Sequence, residues 1–313
     1  MKTTPVAPVD LSASVIAVPP LARRADLSLD PDANRALIRH IEAGGVRTLM
    51  YGGNANFYHL PLSEYAATLD FVAQAAGAGT WVIPSAGADY GKLMDQAAIL
   101  RSLPFPTAMA LPFGKPSNDA GVATALRRFS DRLGKPVIAY VKEAGYLAPA
   151  TLAALAKDGV VCAIKYAIVR DDPSEDADLA QLVERVDRGI VVSGIGERPA
   201  IAHWRGFGLR AFTSGSVCVA PRGSMRILAL LQAGKHEEAA KIRAVYLPLE
   251  DQRDALGPMR VLHDAVTLAG IAEMGPILPM ASNLAAHERG AVQAAARALL
   301  AHDRALAGSA VAA

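Results

Sequence analysis

The stretch Gly159-Val160-Val161-Cys162-Ala163-Ile164-Lys165 decides how this chain is interpreted. It is an apolar run typical of a buried strand, yet it ends in a lysine. A second run, Pro136-Val137-Ile138-Ala139-Tyr140, ends in a tyrosine in the same way. A lysine amine in apolar surroundings loses stability as an ammonium ion, and a neutral amine attacks ketones to form a Schiff base. The pattern makes Lys165 and Tyr140 candidate catalytic residues; the alternative is a strand-end lysine that reaches water beside a core tyrosine.

Eight short apolar runs of this kind alternate with longer amphipathic segments. Near-continuous apolar character is expected of parallel strands that are buried on both faces. The runs cover residues 14–18, 47–51, 80–84, 106–111, 136–141, 160–165, 190–193 and 209–213. The helical patterns between them cover residues 31–43, 62–76, 93–102, 121–133, 149–157, 177–188 and 198–205. The alternation predicts an α/β fold, a (β/α)8 TIM barrel, with an open doubly wound sheet as the main alternative.

After the eighth run the pattern changes to helices without intervening strands. These helical segments cover residues 221–233, 236–247, 257–269 and 283–307. We therefore predict two parts, a barrel over residues 10–220 and a C-terminal helical extension over residues 221–307. The extension is expected to pack on the barrel or on another subunit.

The composition excludes several classes of function. The formal net charge of the 313-residue chain is +2, with acidic and basic residues intermixed, so nothing predicts nucleic-acid binding. Cys162 and Cys218 lie in apolar runs without Cys-x-x-Cys spacing, which predicts small buried residues in a reducing compartment rather than a disulfide or a zinc site. Prolines interrupt the apolar segments near the N-terminus, so we expect neither a signal peptide nor a membrane span, and we predict a cytoplasmic protein.

The two candidate residues lie where barrel enzymes carry their active sites, at the C-terminal ends of the strands. Side chains alternate between the faces of a strand, so Lys165 shares a face with Ala163 and Tyr140 shares a face with Ile138. If both faces point into the barrel, Lys165 and Tyr140 are neighbours on adjacent strands.

The order of elements and several local strings resemble the dihydrodipicolinate synthase/N-acetylneuraminate lyase family of class I aldolases. The resemblance is colinear over residues 11–283. Tyr140 matches the family's tyrosine at the end of the fifth strand, and Lys165 matches its Schiff-base lysine on the sixth. The segments 191–194, 206–209 and 214–217 match the last two strands, and the helix pair over residues 225–243 matches the first helices after the barrel.

The resemblance implies that Lys165 attacks the C2 ketone of a 2-oxo acid while Tyr140 transfers protons, without a cofactor. We expect a nearby Lys165 ammonium to lower the pKa of Tyr140. The backbone amides of the loop after the second strand are expected to hold the substrate carboxylate. The substrate-binding positions are then Gly53, Asn54, Ala55, Gly194, Ala211 and Gly215. The resemblance also implies a homo-oligomer, a tetramer or a dimer.

Three strings depart from the family pattern. The Gly-Thr-Thr-Gly-Glu loop is Gly52-Gly53-Asn54-Ala55-Asn56, and the turn Pro112-Phe113-Gly114-Lys115 lacks the tyrosine that relays protons across subunits. The Tyr-Asn-x-Pro-x-Arg string is Tyr140-Val141-Lys142-Glu143-Ala144-Gly145, where Lys142 is the available cation. The string Phe57-Tyr58-His59-Leu60 is more similar to the sugar-acid dehydratase branch.

These departures favour a lyase, an aldolase or a dehydratase, acting on a 2-oxo acid such as a 2-keto-3-deoxy sugar acid. Two alternatives stay open within the family. One is a dihydrodipicolinate synthase-type condensation of pyruvate with an aldehyde. The other is a barrel that has lost catalysis and retains a ligand-binding role.

Two further alternatives come from other motifs. Gly194-Ile195-Gly196 and Ser214-Gly215-Ser216 follow the last two strands, where barrels often bind phosphate. A metal-dependent aldolase needs clustered ligands, but the seven histidines are scattered and none pairs at ligand spacing. We interpret the histidines as surface or capping residues and predict no metal.

Overall fold

Parallel strands alternate with helices through the first two thirds of the chain, and the computed structural model describes residues 1–309. In chain order the first elements are α1 (Pro8–Ser12), β1 (Ile16–Ala17), α2 (Pro31–Ala43), β2 (Thr48–Met50), α3 (Leu62–Ala75), β3 (Trp81–Ile83), β4 (Ser85–Ala86), α4 (Tyr90–Arg101) and β5 (Met109–Ala110). They are followed by α5 (Asp119–Leu133), β6 (Val137–Val141), α6 (Pro149–Lys157), β7 (Val161–Tyr166), α7 (Ala177–Val183), β8 (Val191–Ser193), α8 (Glu197–Phe207) and β9 (Ala211–Ser214).

The strands close into a barrel. Within residues 1–309 they form a single parallel sheet in the order β3-β2-β1-β9-β8-β7-β6-β5-β4. The two ends of this order, β3 and β4, are halves of one barrel strand divided at Pro84, which has no N–H to donate to the ladder. Tyr51 N donates to Ile83 O (2.9 Å) and Met109 N donates to Pro84 O (2.8 Å), so both neighbours bond the divided strand. The predicted TIM barrel is confirmed, and the open-sheet alternative is wrong.

Local sequence signals fix the outer helices. The Asp30 carboxylate caps α2 by accepting hydrogen bonds from the backbone amides of Asp32 and Ala33. Asn118 caps α5 in the same way, and α5 ends at Gly134 with φ 74°, a left-handed conformation that glycine adopts without strain. Leucine, valine and isoleucine side chains of these helices are buried against the strands. The barrel is thus positioned by caps and apolar faces that the sequence already displays.

Within residues 1–309 four α-helices follow β9, as predicted for the C-terminal extension: α9 (Pro221–Gln232), α10 (His236–Leu256), α11 (Pro258–Leu268) and α12 (Arg289–Ser309). The predicted end of α10 at residue 247 is wrong, because the helix continues through Pro248 for another two turns. Those turns carry Glu250 and Arg253 to the C-terminal rim of the barrel. The division of the chain at residue 220 stays a prediction.

No helix within residues 1–309 is both long and apolar enough to span a bilayer. The cytoplasmic location and the homo-oligomer stay predictions.

Candidate active site

Lys165 and Tyr140 lie side by side on adjacent strands. The register of β6 and β7 pairs Tyr140 with Lys165 and Ile138 with Ala163. The Lys165 amine lies 4.1 Å from the centroid of the Tyr140 ring. A one-residue bulge at the start of this pairing sets the register, since Val137 still pairs with Val161. Without it Tyr140 would lie opposite the residue before the lysine.

The two side chains are electrostatically unusual. Only 6% of Lys165 is exposed, and burial, with a smaller effect of the Lys142 charge, lowers its pKa to about 7. Burial raises the pKa of Tyr140 to about 12. The expected lowering of the Tyr140 pKa by a Lys165 ammonium is therefore wrong, because loss of hydration dominates at this site. Near neutral pH the pair consists of a partly neutral amine and a protonated phenol.

A cavity of about 420 Å³ opens onto this pair at the C-terminal ends of the strands. Six predicted residues line it: Gly53, Asn54, Tyr140, Lys165, Gly194 and Gly215. Lys142 lines it too. Two predicted residues, Ala55 and Ala211, are not among its lining residues.

Ala55 and Ala211 are held away from the cavity by local geometry. Gly53–Ala55 form a single 3-10 turn after β2, in which the Ala55 amide donates to Gly52 O (3.1 Å). That amide is unavailable to a substrate, and the Ala55 side chain is buried. Ala211 is the first residue of β9, and Thr213, two residues nearer the C-terminal end, lines the cavity instead. Neither position lines this cavity, and substrate binding at Ala55 and Ala211 stays a prediction.

The remaining loop residues are placed by specific contacts. The Asn54 side chain donates to Val18 O (3.0 Å), which joins the loop to the end of the first strand. Position 194 accommodates only glycine without rearrangement, because a Cβ there would lie 2.7 Å from Tyr166 O and 3.0 Å from the Lys165 Cγ. The backbone of Gly194 therefore packs directly against the stem of the lysine.

Comparisons with known proteins agree with this geometry. The model of the dihydrodipicolinate synthetase family matches residues 14–299. The chain belongs to this family. Family membership indicates Schiff-base lyase chemistry of the class I aldolase type and leaves the substrate open.

Solved structures share the fold at low sequence identity. Dihydrodipicolinate synthase from Bacillus clausii is 20% identical, with 92% of this chain and 97% of that chain covered and a TM-score of 0.79. YagE, a prophage protein from E. coli K12 in complex with pyruvate, is 20% identical over 91% and 98%, with a TM-score of 0.78. A catalytic lysine mutant of sialic acid aldolase from Ruminococcus gnavus is 14% identical over 94% and 97%, with a TM-score of 0.80. No curated protein sequence matches the chain.

Sequence reasoning missed four polar residues that line the cavity of this dihydrodipicolinate synthetase family member: Tyr58, Thr213, Arg253 and Asp254. Tyr58 stands in the loop after β2, and its pKa is raised by burial and by the nearby Tyr140 and Tyr146. The sequence feature that could have identified Tyr58 is the aromatic string at residues 57–60, directly after the glycine loop. Thr213 is the last residue of the eighth apolar run, so its position near the C-terminal end of a strand could have identified it. Arg253 lies in the part of α10 that was not predicted.

The structure argues against phosphate binding after the last two strands, because the N-terminus of α8 already has a protein partner. The first amide of α8, at Glu197, already donates to the buried carboxylate of Glu250 (3.0 Å). Ser214 is engaged as well, because its hydroxyl accepts from Val217 N (2.9 Å). A carboxylate thus takes the position where a phosphate would gain most from the helix dipole.

Two histidines of this family member are buried and contact the protein interior. His203 and His263 are buried, which corrects their assignment to the surface. Burial lowers the pKa of His203 to about 4, and its Nδ1 is 2.9 Å from Ser193 Oγ. His263 Nε2 is 3.0 Å from Gly275 O. Among residues 1–309 no three histidine, cysteine or acidic side chains are grouped to hold a metal ion.

Proposed function

We propose that this chain is a Schiff-base-forming lyase, an aldolase or a dehydratase, that acts on a 2-oxo acid. Lys165 is the nucleophile and Tyr140 is the group that transfers protons. The observation that carries the proposal is the buried Lys165 amine, with its pKa lowered to about 7, set against Tyr140 at the floor of an open barrel cavity.

The first step requires a neutral amine. With a pKa of about 7, a substantial fraction of Lys165 is unprotonated at neutral pH, whereas an ordinary lysine with a pKa of about 10.4 is almost wholly charged. The Nζ lone pair attacks the C2 carbonyl carbon, and the amine proton passes to the carbonyl oxygen. The product is a carbinolamine on Lys165.

Tyr140 acts first as an acid. Its raised pKa keeps the phenol protonated, so it donates a proton to the carbinolamine hydroxyl, which leaves as water. The resulting iminium carries a fixed positive charge close to the phenolate, which stabilises the phenolate by Coulomb attraction. The phenolate then accepts a proton from the substrate while the electron pair of the breaking bond at C3 moves toward the iminium nitrogen.

The loop after β2 supplies hydrogen-bond donors for the substrate carboxylate. Gly53 and Asn54 begin a 3-10 turn, where the first backbone N–H groups have no partner within the turn, and both residues line the cavity. Thr213 adds a hydroxyl from the neighbouring wall. These groups supply donors of the kind that a carboxylate accepts.

Tyr58 supports proton transfer from the same loop. It lines the cavity, and its raised pKa depends in part on Tyr140 and Tyr146, so the three phenols lie near one another. A small neighbouring cavity of about 230 Å³ is bounded by Tyr58, Lys142, Glu143 and Tyr146. We assign Tyr58 as the hydroxyl that passes protons between Tyr140 and solvent.

The named relatives support a 2-oxo acid. One similar structure is a complex with pyruvate, and another is a sialic acid aldolase whose mutated residue is a catalytic lysine. Residues 57–60 are similar to the sugar-acid dehydratase branch, and this similarity favours a 2-keto-3-deoxy sugar acid as the substrate.

Borohydride trapping tests the proposal. The protein is incubated with pyruvate or with 2-keto-3-deoxygluconate, reduced with sodium borohydride, and measured by intact mass. We expect one substrate-sized adduct on the wild type and none on Lys165→Ala. Lys135→Ala is the matched control, because burial also lowers the pKa of Lys135 but that amine donates to Phe105 O, away from the cavity.

Two outcomes contradict the assignment. An adduct of equal yield on Lys165→Ala removes the lysine from the mechanism. Saturable substrate binding to the wild type with no adduct at any pH supports a barrel that binds ligands without catalysis.

A further inference from the structure

The cavity extends beyond the end that would bind the ketone. At about 420 Å³ it has the size of a site that encloses a whole small molecule, whereas pyruvate has only three carbon atoms. Room remains for the further atoms of a longer 2-oxo acid. The residues that line the rest of the cavity indicate which kind of chain fits there.

Apolar side chains follow directly from the nucleophile. Lys165, Ala167 and Val169 alternate along the end of β7 and the loop after it, and all three line the cavity. Ile195 lines it from the loop after β8, the strand that pairs with β7. The surface that begins at the amine therefore continues outward as hydrocarbon.

The first two turns of α11 complete this surface. Pro258, Met259 and Leu262 line the same cavity from outside the barrel. Leu262 packs directly on the end of β9, because an added Cβ at Gly215 would overlap its side chain. These residues together are called the apolar wall: Ala167, Val169, Ile195, Pro258, Met259 and Leu262.

Two charged residues lie beside the apolar wall, but the protein already engages them. Arg253 Nη1 donates to Ile195 O (2.8 Å) and to Glu250 Oε1 (3.1 Å), and Nε donates to Asp254 Oδ1 (3.0 Å). The remaining nitrogen, Nη2, is buried 2.9 Å from Asp254 Oδ1. Asp254 Oδ2 in turn lies 3.3 Å from Arg198 Nε. The guanidinium is thus directed at protein acceptors, and substrate hydroxyl groups gain no partner from it.

We propose that the apolar wall binds an apolar chain at the far end of the substrate, and so selects 2-oxo acids whose carbons beyond C4 carry no hydroxyl groups. The inference rests on the proposed function, since the ketone end must be bound at Lys165. Contact with the wall removes apolar surface from water, whereas a hydroxyl placed there loses its water without gaining a protein partner. A 2-keto-3-deoxy acid without hydroxyl groups beyond C4 also agrees with residues 57–60.

A series of straight-chain acids tests the selection. Borohydride trapping is titrated with 2-oxobutanoate, 2-oxopentanoate and 2-oxohexanoate, which differ only in methylene groups, and the adduct is measured by intact mass. We expect the half-maximal concentration to fall about twofold or more for each added methylene, because each one buries further apolar surface. The gain from 2-oxobutanoate to 2-oxohexanoate is then about fourfold or more.

Met259→Gln places an amide of similar size in the apolar wall. It is expected to reduce the gain along the series to less than about twofold, since the amide must lose water when the chain binds. Met280→Gln is the matched control, because Met280 is 89% exposed and does not line the cavity. It should keep the wild-type gain.

Val169→Thr is a second variant that perturbs the fold little. It exchanges a methyl group for a hydroxyl at a residue that is 74% exposed, and it is expected to reduce the gain to less than about threefold. Val9→Thr is its matched control, because Val9 is 71% exposed on α1 and does not line the cavity. This variant should also keep the wild-type gain.

The outcomes separate this inference from the proposed function. Equal half-maximal concentrations across the series, or a gain unchanged in both Met259→Gln and Val169→Thr, overturn the role of the apolar wall and leave the Schiff base intact. A lower half-maximal concentration for 2-keto-3-deoxygluconate than for 2-oxohexanoate, which has the same number of carbons, overturns that role too. Absence of any adduct with the series and with pyruvate overturns the proposed function, and the selection by the apolar wall falls with it.

Discussion

The Lys165 amine lies over the face of the Tyr140 ring, 4.1 Å from its centroid, because β6 and β7 hold the two residues in register. Attraction between an ammonium and an aromatic face favours the charged amine. Burial opposes it and dominates, so that the pKa of Lys165 falls to about 7. The amine can therefore be charged or neutral over a narrow range around neutral pH.

The pH dependence of imine formation follows from this balance. The initial rate of borohydride-trapped adduct with pyruvate is expected to rise with pH and to reach half its plateau near pH 7, since only the neutral amine attacks. Lys142→Gln removes a positive charge that disfavours the ammonium, so its midpoint is expected at higher pH. The measurement is adduct yield by intact mass from pH 5 to pH 10.

Lys157→Gln is the control for this shift, because Lys157 is exposed at the end of α6 and does not line the cavity. It should retain the wild-type midpoint. A wild-type midpoint near pH 10 would contradict the burial argument, and a midpoint unmoved in Lys142→Gln would remove the effect of its charge.

Tyr140→Phe separates imine formation from turnover. The variant keeps the aromatic ring beneath the amine but loses the hydroxyl that donates and accepts protons. We expect the imine to form more slowly but the final yield of trapped adduct to persist, and kcat with the identified 2-oxo acid to fall about 10²- to 10⁴-fold. Single-turnover trapping and steady-state assays on the same preparation measure the two effects. Unchanged turnover would show that another group transfers the proton.

The barrel was predictable because its signals are local. Apolar runs, helix caps and glycine stops recur at regular spacing, and each element carries its own pattern. The bulge between Val137 and Ile138 is different. It depends on how two strands meet, and strict pairing from Val137 and Val161 would have placed Tyr140 opposite Ile164. Alternation within each strand predicted the right neighbours, but the register that brings them together is a tertiary property.

The arginine in the cavity was not predictable for a related reason. Pro248 is a strong signal for the end of a helix, since it removes a hydrogen bond and crowds the preceding turn. The structure tolerates it inside α10, where Leu249 and Glu250 directly after it are completely buried. Tertiary packing thus outweighs the local rule, and it carries Arg253 to the cavity from outside the barrel.

Tyr58→Phe tests the proposed relay. Loss of its hydroxyl interrupts proton exchange between Tyr140 and solvent, so kcat is expected to fall about tenfold or more while the yield of trapped imine stays near wild type. Tyr90→Phe is the control, since Tyr90 is 49% exposed and does not line the cavity. Equal kcat values for both variants would remove Tyr58 from the mechanism.

The buried amine is expected to cost stability. A lysine whose pKa is lowered in the folded state destabilises the fold most below that pKa, and the penalty fades as pH rises toward the unfolded value. Lys165→Met should therefore raise the free energy of unfolding, by on the order of 4 kcal/mol more at pH 6.5 than at pH 10.5. Urea denaturation of both proteins at the two pH values gives the difference. A gain that does not depend on pH would show that the pKa of the amine is the same in the folded and unfolded states.

Gly194→Ala tests the packing of the loop against the lysine stem. A methyl group there would lie 2.7 Å from Tyr166 O and 2.8 Å from the Ala167 Cβ. Tyr166 ends β7, and the Ala167 amide donates to Val141 O, so the loop or Lys165 must move. We expect a loss of stability of about 1–3 kcal/mol and slower trapping at Lys165. Gly206→Ala is the matched control, because an added Cβ meets nothing within 4 Å and alanine favours the helix, so stability is expected to rise by about 0.5–1 kcal/mol. Thermal unfolding and trapping rates measure both variants, and wild-type trapping in Gly194→Ala would show that the loop does not position the lysine.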